Sequence, residues 1–306
     1  QINPCRIFTF ARGGTWEQRL LFAWISFHPK PDSVLKMRVL HVIPSLHPSQ
    51  GGPSTVMPQI AKALSDQGLT VDVACVDQFS ATNKQGVVIE QAPGGYRVLN
   101  FRPQIVRRRL SFTFMRWLER NASRYDLIHV HGVLNFPCLA ADWAAIRHGV
   151  PLVVRPLGIL NRWGMENRKA VLKKIWFRCL EKPLLDRAAA LHFTSQEEKD
   201  DVARLRIKAP TEVLPLGLDM SPFESMPQRG IFRDRLGVSS SEKMVLFLSR
   251  IHPKKGLEVL LHAFALVHRD LKDVTLVIAG DGQKNYLAEL HALVAELGIG
   301  EKVLWT

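Results

Sequence analysis

Short apolar runs of strand length alternate along the chain with longer segments of helical spacing. The runs "RVLHVI" at 38–43, "TVDVACV" at 70–76 and "YDLIHVHG" at 125–132 are rich in β-branched residues, which favour buried strands. Between them, the apolar positions of 54–68 and 138–149 recur every three or four residues, as on one face of a helix. This alternation predicts a parallel sheet covered by helices, which is an α/β fold.

The alternation continues to the last residues and breaks once. Strand-like runs lie at 151–156, 190–195, 211–217, 243–249, 274–282 and 302–305, and helical patterns at 165–188, 257–268 and 287–298. The break at 219–242 is rich in proline, glycine and serine, which is typical of a linker. We predict an irregular or upstream extension over 1–36, an amino-terminal Rossmann-like domain over 37–225, a linker over 226–242 and a partial carboxy-terminal domain over 243–306.

Composition restricts the partner and the compartment. The 306 residues include 41 lysines and arginines against 28 aspartates and glutamates, a formal charge of +13. Such an excess indicates an anionic partner, namely nucleic acid, a membrane surface or a phosphorylated small molecule. Four widely spaced cysteines without a CxxC pair favour a reducing cytoplasm. No apolar run reaches the roughly 18 residues of a membrane span, so we expect neither a signal peptide nor a transmembrane anchor.

Two glycines, Gly51 and Gly52, lie between the first strand and the first helix. Without a Cβ atom, they let the backbone approach a ligand closely, although a simple loop turn explains the same pair. The loop matches neither GxGxxG nor a Walker sequence, so it does not predict ordinary dinucleotide or ATP binding.

A basic turn, "SRIHPKKG" at 249–256, follows the first strand of the second domain and precedes a helix. A diphosphate there would meet the bidentate guanidinium of Arg250, the ammonium groups of Lys254 and Lys255, and the positive end of a helix dipole. The alternative is a solvated basic turn. We favour anion binding, because Arg250 stands at the end of a strand, where a merely solubilising charge has little reason to be fixed.

Two histidines, His129 and His131, lie two residues apart in one strand and so share a face. Three interpretations remain open for them: histidines of the core or rim, a metal pair that lacks further ligands at helpful spacing, and a polar catalytic contact. His131 is nearer the carboxyl end and precedes Gly132, so we expect it to reach a ligand cleft. Gly217, in "PLGLD" at 215–219, permits a close backbone approach at the end of the last strand of the domain.

The order of these motifs resembles that of the family-4 retaining glycosyltransferases of the GT-B fold. The Gly-Gly loop, "DLIHVHG", "TSQEE", "PLGLD", "LSRIHPKKG" and "VIAGDG" follow one another here, and the resemblance covers about residues 37–306. It implies two Rossmann-like parallel-sheet domains facing a cleft, with the acceptor on the first domain and the nucleotide-sugar donor on the second. The second domain is expected to be incomplete, since the family's Glu-x7-Glu element would lie beyond Thr306.

On the donor side, the resemblance implies that Arg250 and Lys255 neutralise the diphosphate of a UDP- or GDP-sugar, with Lys254 accessory. It therefore implies no metal requirement and no cofactor, because these cations carry the charge of the leaving nucleoside diphosphate. The donor itself is a substrate. Sugar transfer with retention is expected to follow a front-face route, in which the leaving phosphate helps to deprotonate the acceptor.

On the acceptor side, the resemblance implies that Gly51 and Gly52 approach the donor and that His131 contacts the transferred sugar. Gly217 matches the glycine of a P-N-G-x-D turn, but Leu216 stands where asparagine is usual, so no side-chain hydrogen bond is expected there. A glycan or lipid-linked acceptor, in polysaccharide or cell-envelope synthesis, fits the family.

Basic and apolar residues interleave in two stretches, 101–124 and 165–188. This pattern is typical of interfacial helices and predicts peripheral binding to an anionic membrane surface at its inner face, or simply a solvated helix face. Two other functions compete with glycosyl transfer. One is a catalytically incomplete fragment that only binds an acceptor or a partner. The other, nucleic-acid binding, rests on charge alone, and we expect no nucleic-acid partner because no recognised motif supports it.

Overall fold

The chain folds into two compact units, the first ending at Asp219 and the second comprising Met220–Thr306. This computed structural model describes residues 37–77, 87–166, 170–217, 219–220 and 223–306. The predicted extension at 1–36 lies outside the described residues. None of the helices in the described ranges combines the length and the apolar composition of a segment that crosses a bilayer.

An eight-stranded sheet forms the centre of the first unit. Its strands are β1 (Arg38–Ile43), β2 (Thr70–Val76), β3 (Val87–Gln91), β4 (Arg97–Phe101), β5 (Leu127–His131), β6 (Leu152–Arg155), β7 (Ala190–Phe193) and β8 (Thr211–Val213). Their order is β3-β4-β2-β1-β5-β6-β7-β8, and all neighbours pair in parallel except β3 with β4. The apolar pattern of the sequence did not indicate β3 and β4. β3 is a partly exposed edge strand whose side chains do not alternate clearly between core and solvent.

Helices connect these strands. They are α1 (Gly52–Asp66), α2 (Phe112–Asn121), α3 (Phe136–Arg147), α4 (Arg162–Glu166), α5 (Ala170–Trp176), α6 (Lys182–Leu185) and α7 (Gln196–Ala203). The basic helical stretch predicted over 165–188 is divided among several of these elements. A π-helical turn over Phe177–Glu181 joins α5 to α6, and such turns recur at functional sites in proteins.

Two apolar clusters cover the two faces of this sheet. Alternate residues of β1 go to opposite sides: Leu40 and Val42 join the cluster that includes α2 and α3, whereas Val39 and Ile43 join the cluster that includes α1. His41 lies between Val39 and Ile43, so it belongs to the face that α1 covers.

The carboxylate of Asp72 is fully buried in the first unit and is well paired. Asp72 accepts two hydrogen bonds from Arg97, at 2.7 and 2.6 Å, and one from the Tyr125 hydroxyl at 2.6 Å. Asp72 and Arg97 are also direct neighbours in the register of β2 and β4. Because hydrogen bonds and an opposite charge offset the cost of burying an ion, this group needs no further partner.

The second unit is a smaller parallel α/β unit. Its elements are α8 (Ile231–Leu236), β9 (Lys243–Leu248), α9 (Leu257–Asp270), β10 (Val274–Ala279), α10 (Lys284–Glu296) and β11 (Val303–Trp305). The strands lie in the order β11-β10-β9. Buried residues of α9 and α10 pack with β10 and β11 in one apolar cluster. The predicted linker contains α8, which lies between Gly230 and Gly237, both of left-handed backbone.

Candidate active site

A layer of nitrogen-bearing side chains is buried on the α1 side of the first sheet. It consists of His41 from β1, His129 and His131 from β5, Arg155 from β6 and His192 from β7. None of the five is more than 4% exposed. We call this group the histidine–arginine layer. Five basic side chains in an otherwise apolar interior are costly to bury, so their arrangement requires a physical explanation.

Strand register brings the members of the layer together. His41 is paired with His129, and His131 is paired with Arg155. Since Leu191 pairs with Val154 in the parallel β6–β7 ladder, His192 lies beside Arg155 on the other side. His131 and Arg155 are the last residues of their strands, which places them at the carboxyl edge of the sheet, where ligands bind in open α/β folds.

The imidazoles contact one another directly. His41 Nδ1 and His131 Nε2 are 2.9 Å apart, and the ring centroids of His129 and His131 are 4.2 Å apart. His192 Nε2 donates a hydrogen bond to the Leu214 carbonyl oxygen at 2.9 Å. His131 Nδ1 and His129 Nε2 have no hydrogen-bond partner in the described part of the chain. The layer therefore retains unused hydrogen-bonding capacity.

Burial keeps these histidines neutral. It lowers the pKa of His41 to about 3, with the charge of Arg155 acting in the same direction, and the pKa of His192 to about 4. The pKa values of His129 and His131 are also well below the usual value, again mainly because of burial. At neutral pH each ring can therefore donate one hydrogen bond and accept another.

Arg155 is the one residue of the layer that stays charged at neutral pH. Its side chain is fully buried, and none of its three guanidinium nitrogens has a hydrogen-bond partner among the described residues. Burial lowers its pKa to about 10, while the charge of Glu198 acts to raise it. The contrast with Asp72 is direct: that buried carboxylate accepts three hydrogen bonds, whereas the Arg155 guanidinium makes none with the described residues.

Three histidines of the layer have the dimensions of a metal site. One nitrogen each of His41, His129 and His131 lie within 4.8 Å of one another, and neutral imidazoles are good ligands for zinc. His41 thus supplies the third ligand that the spacing of His129 and His131 did not reveal. However, the neighbouring charge of Arg155 opposes a cation. The expectation that no metal is required stays a prediction.

The turns that follow β5 and β6 are each held by a carboxylate. Glu181, in the π-helical turn, accepts a hydrogen bond from the Leu134 amide at 2.8 Å, and Glu198 accepts one from the Gly158 amide at 2.6 Å. Leu134, like Leu157 just before Gly158, has a left-handed backbone, with φ of 58° and 61°. Because such conformations are unfavourable for leucine, these bonds stabilise the turns directly after His131 and Arg155.

His131 was predicted to reach a ligand cleft, and this stays a prediction. In the structure the residue is 0% exposed. The turn behind it is tightly packed: a Cβ atom added at Gly132 would lie 3.3 to 3.8 Å from Asn135, Cys138 and Pro44. Gly132 also has a φ of 122°, a backbone conformation that favours glycine.

The Gly-Gly loop lies at the same edge of the sheet. Gly51 is the N-cap residue of α1, which begins at Gly52. Its φ of 84° favours glycine, and it has no side chain to cap the helix. A Cβ atom added at Gly52 would meet nothing within 4 Å, so the space beside it is open. β1 and β5 are parallel neighbours. The loop after β1 therefore lies at the same edge of the sheet as His131, the last residue of β5.

The segment that contains Gly217 follows β8. Leu216 packs against the apolar cluster of the α1 face, and the Leu214 carbonyl binds His192. The "PLGLD" segment is thus connected to the histidine–arginine layer through one hydrogen bond. Gly217 itself is half-buried.

In the second unit, the basic turn is built on close backbone packing. Arg250 follows β9, and Lys255 ends a 3-10 turn over Pro253–Lys255 just before α9. A Cβ atom at Gly280 or Gly282 would overlap a backbone carbonyl oxygen of the turn, which explains the glycines of "VIAGDG". Both basic side chains are exposed, and neither forms an ion pair within the described ranges.

Arg155, Glu181 and Glu198 were not recognised in the sequence as site residues. A charged residue that ends the apolar run "PLVVR" at 151–155 is a usable signal for Arg155, since buried strands rarely carry unpaired charges. No local pattern indicates Glu181, because its role depends on contact with a turn that lies 47 residues away in the sequence.

Comparisons with known proteins identify the family. The "Glycosyl transferase 4-like domain" matches residues 51–217, and "Glycosyl transferases group 1" matches residues 228–306. The first match alone covers more than half of the chain, and the chain therefore belongs to the family-4 glycosyltransferases. The resemblance stated from the sequence motifs is confirmed.

Curated relatives carry glycosyltransferase names. The GDP-mannose:cellobiosyl-diphosphopolyprenol alpha-mannosyltransferase of Xanthomonas campestris is 26% identical over 87% of this chain and 66% of its own length. The alpha-monoglucosyldiacylglycerol synthase of Streptococcus pneumoniae is 34% identical over 37% of this chain and 26% of its own length. The chain thus spans less than two thirds of the length of each of these two relatives.

Solved structures share the fold. The Anabaena protein HepE, in complex with UDP, superposes with a TM-score of 0.65 at 23% identity, over 88% of this chain and 68% of that chain. Sucrose-phosphate synthase of Thermosynechococcus elongatus gives 0.64 at 20% identity, over 88% and 70%. The predicted α/β fold of the GT-B class, with a large sheet and a smaller second parallel sheet, is confirmed.

The histidine–arginine layer should make the free energy of unfolding fall as the pH is lowered. The unfolded chain binds protons at these histidines below about pH 6.5, whereas the folded layer stays neutral, so each histidine lowers the free energy of unfolding by about 1.4 kcal/mol per pH unit below that value. Asp142 and Glu181 act in the opposite sense, since burial raises their pKa values. We expect stability to fall from pH 6.5 to 5, because the four histidines of the layer outnumber these two carboxyls.

Urea denaturation of the His41→Asn variant isolates the contribution of one ring. Between pH 6 and 5, its stability should fall less steeply than that of the wild type, by about 1.4 kcal/mol per pH unit. The matched control is His262→Asn, at an exposed position of α9, which should leave the slope unchanged. Identical slopes for His41→Asn and the wild type would contradict the neutral layer.

Proposed function

We propose that the protein transfers a sugar from a nucleotide-sugar donor to a glycan or lipid-linked acceptor, with retention of anomeric configuration. In this proposal the second unit binds the donor and the first unit binds the acceptor. Family membership over both units supports it. Among the relatives, the Xanthomonas campestris mannosyltransferase is named for GDP-mannose, and HepE was solved with UDP, so a UDP- or GDP-sugar is the donor class that we favour.

The observation that carries the proposal is the basic turn before α9. Arg250 and Lys255 are exposed and form no ion pair in the described ranges. The N-cap residue of the helix, Gly256, has no side chain that could bind the first amides, and such amides bind anions. A diphosphate therefore finds a guanidinium, an ammonium and a helix amino terminus within a few residues of one another. These groups stabilise the charge that develops on the leaving nucleoside diphosphate.

In the first unit, His131 is the residue that we assign to the transferred sugar. Its ring is neutral, and its Nδ1 atom has no hydrogen-bond partner in the described part of the chain, so it can exchange a hydrogen bond with a sugar hydroxyl. The open space beside Gly52 admits a ligand at the neighbouring strand end. Transfer then follows a front-face route: the acceptor oxygen bonds to the anomeric carbon, the bond to the leaving phosphate breaks, and that phosphate takes the acceptor proton.

Removing the donor cations should weaken nucleotide binding. In the full-length protein, Arg250→Ala and Lys255→Ala should each cost on the order of 2–5 kcal/mol of affinity for UDP or GDP, because each truncates a charge contact. Isothermal titration calorimetry measures this. Lys272→Ala removes an exposed charge elsewhere in the same unit and should have little effect. Nucleotide affinity that survives in the Arg250 and Lys255 variants would refute the assignment of the basic turn.

The acceptor side presents a basic and apolar surface that fits a membrane. Ile105, Val106, Phe112 and Met115 are 39% to 57% exposed. The segment 102–118 carries several arginines and no acidic residue. Arginines that surround exposed apolar side chains suit the headgroup region of anionic lipid, which supports a peripheral position at the inner membrane face. A lipid-linked acceptor would be reached from that position.

Vesicle flotation tests this surface. The protein should float with vesicles that contain phosphatidylglycerol and not with phosphatidylcholine alone, and high salt should release it, since each basic residue near the surface contributes about 1 kcal/mol. Phe112→Ser should reduce flotation, whereas Val259→Ser, at a 73% exposed position of the second unit, should not. Absence of flotation with anionic vesicles would remove the membrane from the proposal.

A further inference from the structure

Arg155 carries a buried charge for which the described chain supplies no hydrogen-bonding partner. Its Nε, Nη1 and Nη2 atoms all lack a partner, and the residue is 0% exposed. Removing an ion from water costs several kcal/mol unless an opposite charge and hydrogen bonds replace the water. We therefore expect the Arg155 guanidinium to bind an anion while the protein functions.

The neighbours of Arg155 add no second positive charge beside it. His131 and His192 flank it in the register of β5, β6 and β7, and burial keeps both rings neutral. A guanidinium binds phosphate and carboxylate through two parallel hydrogen bonds. His192 Nε2 donates to the Leu214 carbonyl oxygen, so its Nδ1 is an acceptor that can bind only a protonated oxygen of the ligand.

The carboxylate whose charge acts on Arg155 already binds other groups. Glu198 acts on Arg155 electrostatically, but its Oε1 accepts from the Gly158 amide, and its Oε2 accepts from the amide and hydroxyl of Thr194 at 3.1 and 3.2 Å. It holds the turn after β6 and makes no hydrogen bond with Arg155. The paired Asp72 and Arg97 show how the same chain satisfies a buried charge when no ligand is involved.

We propose that Arg155 binds an anionic group of the acceptor, either a phosphate or a carboxylate. This inference rests on the proposed function and deepens it, because it gives the acceptor a charge. The diphosphate of the donor has its own cations in the second unit, Arg250 and Lys255, so the charge of Arg155 is left for the other substrate. A side chain this deep binds its ligand after the turns behind β5 and β6 open.

Thermal unfolding with inorganic phosphate as the probe tests the site. The starting protein carries Arg250→Ala and Lys255→Ala, so that the donor cations do not contribute. Its midpoint should rise by about 5–10 °C at a hundredfold excess of phosphate over Kd, with chloride at equal ionic strength as the baseline. Adding Arg155→Met should abolish this rise. Acetate in place of phosphate distinguishes a carboxylate site, and either anion supports the proposal.

The midpoint without phosphate discriminates between a ligand site and a structural role. Replacing an unpaired buried charge by an apolar side chain of similar length is expected to be neutral or stabilising. Arg155→Met should therefore unfold at the same or a higher temperature than its parent. A marked fall in midpoint together with a phosphate response that persists would overturn the proposal, because Arg155 would then be a structural residue only.

Two further arms keep the test decisive. If Arg155→Met does not fold, Arg155→Lys is measured instead. It retains the charge but not the bidentate geometry of the guanidinium, so it should weaken phosphate binding about tenfold. Unchanged binding would count against the site.

Glycerol 3-phosphate should raise the midpoint as inorganic phosphate does, since the group is proposed to be carried by a substrate. A response to inorganic phosphate alone, or to zinc instead of any anion, would contradict the assignment. Failure of nucleotide binding at Arg250 would affect only the donor assignment, because this experiment omits those cations.

Discussion

Parallel pairing of β5 with β6 and of β6 with β7 is the constraint on which the site of the first unit depends. This register places His131, Arg155 and His192 side by side on one face, at the carboxyl edge of the sheet. A shift of one residue would move every side chain of a strand to the opposite face. The apolar clusters on both faces fix the register, and the histidine–arginine layer is held in place by the same packing.

The layer has an energetic cost that the rest of the fold offsets. Four imidazoles remain neutral because they are buried, and the only charged member is Arg155. Glu181 binds the amide of Leu134, a residue of left-handed backbone in the turn after β5, and Glu198 binds the amide of Gly158 in the turn after β6. Unfavourable backbone conformations, unpaired polar atoms and a π-helical turn occur together at functional sites more often than in structural cores. That combination supports a ligand site at this edge.

Much of the fold could be predicted from the sequence, and much of the site could not. Apolar runs identified β1 and β2 within their observed bounds, because central parallel strands are apolar on both faces. The edge strand β3 gave no such signal. His129 and His131 were found from their spacing, but His41 comes from a strand nearly ninety residues earlier and joins them only through the sheet. Arg155 carries a usable signal as the charge that ends an apolar run. Glu181 acts through contact with a turn 47 residues away, which no local pattern records.

The central claim is that the end of this buried layer does chemistry rather than packing alone. The most direct test compares His131→Gln with His129→Gln, since both residues lie on the same face of β5 and are buried to a similar degree. Turnover with a nucleotide-sugar and the free energy of unfolding are measured for each variant. The account predicts similar losses of stability but a loss of turnover of about 100-fold or more for His131→Gln alone, as for the loss of one hydrogen bond to a reacting group. Equal losses of turnover in the two variants, in proportion to their losses of stability, would contradict it.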